Sequence, residues 1–142
     1  MTIPLRIIIH GTPVPQGSMT GGKFIRHSNG KVLHPWREAV SLAGIKAMED
    51  YGIDEPLDGP LELRCEFRFA MPQSRRKVHK VRRWKWKTTM PDLDKLVRAV
   101  GDSLTAGAVI TDDARFVKIA AAKTERLDEW TGAEITISKV EY

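Results

Sequence analysis

Apolar and polar residues alternate most strictly between positions 61 and 70. Leu61, Leu63, Cys65, Phe67 and Phe69 take one side, and Glu62, Arg64, Glu66 and Arg68 take the other. A period of two predicts a half-buried β-strand. Leu5 to His10 is almost continuously apolar and predicts a first strand buried on both faces. Helical spacing occurs twice. Trp36, Ala39, Val40, Ala43, Ala47, Met48 and Tyr51 follow Pro35, a residue suited to the first helical position, and Gly52 ends the run. This predicts a helix over 35–51. Leu93, Leu96, Val97, Val100 and Leu104 form a second stripe, with Asp94, Arg98 and Asp102 on its polar face. That helix starts near Asp92 and stops around Ala106–Gly107.

Two further strands are predicted at roughly 115–122 and 132–140. Residues 11–34 are rich in Gly, Pro and Ser and predict a long loop, folded back as a ribbon around Lys23 to Leu33. Lys23, Arg26 and Lys31 add scattered positive charge to it. The order β-α-β-α-β-β predicts an α/β fold, a single domain over 1–142 with a mixed sheet packed on two helices. No internal repeat or linker interrupts it.

A chain of 142 residues supports one hydrophobic core, and 42% hydrophobic with 29% charged residues is an ordinary globular composition. Cys65 has no partner for a disulfide, and no Cys/His cluster suggests zinc. The expected setting is reducing and cytoplasmic. The N-terminal apolar run is broken by Arg6 and too short for a membrane span or signal core, so no membrane association is expected.

The net charge of +5 is unevenly placed. Arg75, Arg76, Lys77, Lys80, Arg82, Arg83, Lys85 and Lys87 put eight cations into thirteen residues, and no acid lies between Glu66 and Asp92. Setting those eight aside from the 23 Lys and Arg leaves 15 against 18 acids. The positive charge is therefore local, as expected for a polyanion partner. Residues 71–91 form a basic loop too long for a plain connection. Its cations suit DNA phosphates. Trp84 and Trp86 suit either stacking on splayed bases or, for Trp84, packing into the core. The histidines form no metal-binding pattern, and His10, His27, His34 and His79 read as structural or loop residues.

Asp92 and Asp94 stand at the start of the second helix, and Asp112 and Asp113 lie just past its end. Carboxylates forced together repel, gain proton affinity, and become a good site for a hard cation. Such a cation suits phosphodiester cleavage. A helix of about a dozen residues is roughly 18 Å long, however. The two groups meet only if the chain after Gly107 doubles back. Each acid also has a plainer role. Asp92 suits an N-cap, Asp94 the helix dipole, Asp112–Asp113 a turn, and Asp102 a solvated face.

The string Pro91-Asp92-Leu93-Asp94-Lys95-Leu96-Val97-Arg98-Ala99-Val100-Gly101-Asp102-Ser103-Leu104, followed by Val109-Ile110-Thr111-Asp112-Asp113, resembles the signature of the RusA family of Holliday junction resolvases. That signature is a D-L-D-N-L helix start, a basic residue one turn on, and a D-D pair after the helix. The resemblance implies a crossover junction endodeoxyribonuclease of phage or prophage type, acting in DNA recombination and repair. It implies Asp92, Asp94 and Asp113 as catalytic carboxylates holding one or two Mg2+ ions, with Mn2+ as a substitute. It also implies cleavage leaving a 5′-phosphate and a 3′-hydroxyl. The family's basic residue falls on Arg98. Arginine cannot donate a proton, so its role is restricted to holding the phosphate or stabilising developing charge. Lys95 takes the usual asparagine place and joins the candidate DNA contacts. The resemblance also implies a homodimer, for which paired nicking of a two-fold-symmetric junction gives a physical reason. Two other readings stay open: a non-catalytic nucleic-acid-binding module, and a nuclease for forks or flaps.

Overall fold

The computed structural model describes residues 4–17, 19–20, 26–27, 30–76, 82–127 and 129–141. Strand β1 (Leu5–His10) is followed by a short ribbon of β2 (Met19–Thr20) and β3 (Arg26–His27), then helix α1 (Gly30–Asp50). Next come β4 (Leu61–Ala70), α2 (Gln73–Arg76), β5 (Trp84–Trp86) and α3 (Leu93–Ala106). A 3-10 turn (Asp113–Arg115), β6 (Phe116–Arg126) and β7 (Gly132–Lys139) complete it. Five strands form one mixed sheet in the order β1-β7-β4-β6-β5, in which β4 and β6 are parallel and the other pairs antiparallel. Parallel neighbours need a crossover, and α3 supplies it. The predicted α/β order holds, with β5 added at the sheet edge.

The alternation read from 61–70 is realised. Leu61, Leu63, Cys65, Phe67 and Phe69 are buried beneath the helices, together with Leu96, Val100 and Leu104 of α3. Their partners face the open side of the sheet, where Glu66 accepts from Arg68 at 3.0 Å and from Arg126 at 2.6 Å.

Four expectations are corrected. β1 is buried on one face only: Leu5, Ile7 and Ile9 point inward, whereas Arg6, Ile8 and His10 are exposed. A run of isoleucines reports hydrophobicity but not which face is covered, and here helices cover only one. Helix α1 begins at Gly30, so Pro35 lies inside it rather than at its first position. The cost is the donor for one carbonyl, that of Lys31, on an exposed residue that water can reach. The basic stretch is no simple loop, because it contains α2 and β5, and β5 pairs Trp84–Trp86 with Arg126–Thr124. The predicted ribbon falls earlier than expected, pairing Met19 with His27 and Thr20 with Arg26. Among the described residues, no helix is long and apolar enough to cross a membrane.

Candidate active site

The reversal required of the chain after α3 does occur, and its local cause is visible. Ala108 takes a left-handed φ of 56°. Its N–H donates to the Thr105 carbonyl at 3.1 Å, and the Val109 N–H donates to the Leu104 carbonyl at 2.9 Å. This is the Schellman pattern, with Val109 turned toward Leu104. The returning strand is then gripped by a segment from far away. Leu57 N–H donates to Val109 at 2.9 Å, and Thr111 N–H donates to Leu57 at 3.0 Å. The Asp58 carboxylate accepts from the Thr111 hydroxyl at 2.8 Å and from Arg115 Nε at 2.6 Å. Those bonds, that from Arg115 first, hold the Asp58 carboxyl down at about 2. A depressed carboxylate contributes above its unfolded pKa and loses that contribution only as pH falls through the folded value. The clip therefore persists through the neutral and mildly acidic range.

Asp113 is thereby folded back against the middle of α3. A Cβ placed on Gly101 would lie 3.3 Å from the Asp113 Cβ and 3.6 Å from its Oδ2. Asp94, Val97, Arg98 and Gly101 follow the i, i+3, i+4, i+7 spacing and share a helix face. That face, with Asp113, lines a cleft of about 630 Å³ whose apolar floor is Leu63, Leu93, Phe116, Ile119 and Ala121. Asp94, Arg98 and Asp113 thus meet in one concave site. Asp92 is not among its lining residues. It holds the N-cap position of α3 without a side-chain cap bond, and its carboxylate lies 3.9 Å from Lys95 Nζ.

A glycine inside a helix costs about 1 kcal/mol relative to alanine. At Gly101 an added methyl would press on Asp113, which would have to give by a few tenths of an ångström. Gly101→Ala is expected to keep or raise thermal stability while weakening divalent-metal binding and cleavage, as checked by a melt beside a metal titration. Equal metal affinity and activity in the variant would show that the close approach has no functional weight.

A hydrogen bond with Asp112 raises the Asp113 carboxyl above the usual range, and partial burial and the charges of Asp112 and Asp102 push the same way. Among the described residues, no three His, Cys, Asp or Glu side chains are grouped closely enough to cage a metal ion. The donors present suit magnesium, which takes one or two carboxylates and completes its shell with water and phosphate oxygens. They do not suit a structural zinc site.

The basic stretch is organised by an acid from another part of the chain. Glu125 is fully buried. It accepts from Arg75 through two bonds, at 2.7 and 2.5 Å, and from Lys87 Nζ at 3.4 Å, while Lys85 Nζ lies at 3.8 Å. Burial would raise this carboxyl, but the bonds and charges of Arg75 and Lys87 outweigh it and hold it low. Arg76 donates to the Met71 carbonyl and Arg83 to that of Leu127, while Arg82 lies over the Trp84 ring at 5.9 Å. Trp84 and Trp86 meet edge to face at 5.0 Å, and Trp86 is 59% exposed. Lys23, Lys77, His79 and Lys80 lie outside the described residues. His10 packs edge to face on Trp130, and His34 is exposed on α1.

Sequence reasoning missed Glu125, Asp58 and Gly101. Glu125 fell beyond the predicted end of its strand, and Asp58 acts on residues more than fifty positions away. A charged residue in phase with Ile119, Ala121 and Lys123 was the available signal for Glu125.

A mixed sheet crossed by a helix, with two aspartates from opposite ends of that helix and an arginine lining one cleft, defines an α/β protein with a charged, concave site on one side of its sheet. The family described as Endodeoxyribonuclease RusA matches residues 11–138, and the chain belongs to that family. It is also 37% identical over 81 residues to the "Crossover junction endodeoxyribonuclease rusA" of Lactococcus phage r1t. That match spans 57% of this chain and 56% of its relative, little more than half of each.

Proposed function

We propose that this chain is a magnesium-dependent endonuclease that nicks branched DNA, four-way junctions above all, in recombination and repair within the cytoplasm. The observation that carries the reading is the convergence of Asp94, Arg98 and Asp113 on one cleft. Family membership and the phage relative's name support the same chemistry. Asp94 and Asp113 would hold the ion, with Asp92 as a third ligand once a cation displaces the Lys95 ammonium from it. Bound there, magnesium supplies polarisation of the phosphate and a lowered pKa for coordinated water; manganese is the expected substitute.

The protein's own residues have separable tasks. Arg98 is exposed one turn along α3 from Asp94 and is permanently charged, so it grips phosphate oxygens and moves no proton. Arg76, Lys77, Lys80, Arg82, Arg83 and Lys95 supply contacts to the DNA backbone, with salt-dependent affinity, whereas Arg75, Lys85 and Lys87, expected from the sequence to do the same, are engaged by Glu125 and hold the basic segment in place. A homodimer presents two such clefts to opposite strands of a junction.

The test is a substrate panel of four-way junction, fork, flap and linear duplex, titrated with Mg2+. Paired, symmetric nicks in the junction that vanish when metal is chelated are expected. Tight junction binding without cleavage at any metal concentration would contradict the enzymatic reading. Preferential cutting of forks or flaps would reassign the substrate.

A further inference from the structure

The helix-facing side of β6 does more than floor the cleft. Ile119 and Ala121 line it, and the same face continues through Lys123 and Glu125, paired in register with Phe67 and Phe69 of β4. Lys123 is half-buried, and its Nζ donates to two main-chain carbonyls, those of Thr89 and Pro91, at 2.6 Å each. Taking a lysine ammonium out of water is costly unless acceptors replace the solvent. Here two converge on it, and charged donors make bonds roughly twice as strong as neutral ones. The Pro91 carbonyl belongs to the peptide unit that begins Asp92. From the other side, the Asp92 carbonyl accepts from Leu96 N–H at 3.2 Å in the first turn of α3. Asp92 is therefore suspended between a tether to the strand and its own helix, and Asp94 follows two residues on. A main-chain bond from Lys87 N–H to the Lys123 carbonyl, at 3.1 Å, lays the incoming segment along the same strand.

We infer that Lys123 is a positioning residue for the acidic end of the site: its ammonium fixes the backbone that enters α3 and so sets where Asp92 and Asp94 present their carboxylates to a divalent cation. The inference rests on the metal-dependent reading above. The tetrahedral ammonium aims two hydrogens at carbonyls two residues apart. A planar guanidinium on a longer stem does so less well, and an uncharged Met does not do so at all.

The test compares the full-length parent with Lys123→Met and Lys123→Arg. Manganese binding is read by electron paramagnetic resonance, and backbone hydrogen exchange over residues 87–95 by mass spectrometry. Outer-shell residues at metal sites are typically worth about 10–100-fold in metal affinity. Lys123→Met is expected to lose affinity on that scale and to exchange faster over 87–95, with metal-free junction binding unchanged and Lys123→Arg recovering part of both losses. A folded Lys123→Met with parental manganese affinity and parental exchange overturns the inference. If Lys123→Met does not fold, Lys123→Gln, which keeps an uncharged amide NH2 on a shorter stem, takes its place under the same criterion. A parent that binds no manganese overturns the metal reading itself, and exchange over 87–95 then separately decides whether the tether exists.

Discussion

Asp113→Asn is expected to abolish junction nicking while leaving junction binding intact and the fold as stable as the parent, or more so. The carboxylate comes back against Gly101 and faces the same cleft as Asp94 and Arg98. A divalent ion's stabilisation of charge at the reacting phosphate is worth several kcal/mol. At 1.36 kcal/mol per decade, its loss lowers the rate by about a thousandfold or more. The stability side has the opposite sign. A carboxyl raised by its neighbours is strained in its charged form, so Asp112, burial and Asp102 make the ionised Asp113 a burden on the metal-free fold. That burden is present above the folded pKa and vanishes as pH falls below the unfolded one. At neutral pH the asparagine removes it. Asp94→Asn is expected to match the loss of nicking. The measurement is single-turnover cleavage beside a gel-shift assay and a thermal melt. Loss of binding together with cleavage would point to a structural role instead.

Glu125→Gln is expected to have the largest effect on stability among single changes outside the core. The carboxylate is fully buried, and removing it leaves Arg75, Lys85 and Lys87 facing one another. Breaking a buried pair costs about 3–5 kcal/mol. Arg75 keeps about a third of its side chain exposed and can swing toward water, which places the loss near the lower end of that range. In a chain of this size the melting temperature should fall by roughly 6–12 °C. The pH dependence has a definite sign. Glu125 is held below its ordinary value, so its contribution is complete above the unfolded carboxyl pKa and is lost as pH falls through the folded one. Melts at pH 7 and pH 3 should therefore show a wide gap between parent and variant that narrows in acid. A gap of less than about 1 kcal/mol at pH 7 would mean that the cations never depended on Glu125.

The elements with a strong period were legible in the sequence. The two-residue alternation of 61–70 and the stripe through Leu96, Val100 and Leu104 correspond to β4 and α3 almost residue for residue. What periodicity cannot carry is the partner across the fold. The return of Asp113 depends on Ala108 adopting a left-handed conformation and on Leu57 and Asp58 holding the returning chain. None of these is adjacent in sequence to the aspartates it serves. β5 is three residues long and sits among cations, so its pairing with β6 left no local trace. The basic stretch looked like free charge because its acid, Glu125, lies some forty to fifty residues further on. Asp92 read from its position as a helix cap, and only the family resemblance made it a ligand. It holds the cap position but makes no cap bond, which leaves its carboxylate to Lys95 or to a cation.

A crystal of the protein soaked in manganese, with anomalous difference density computed at the manganese edge, tests most directly whether acids from the two ends of α3 serve one ion site. The expected result is density inside the cleft, within coordination distance of both Asp94 and Asp113, that is lost in Asp113→Asn. Density confined to other surface carboxylates, or none in the cleft at saturating manganese, would contradict the account.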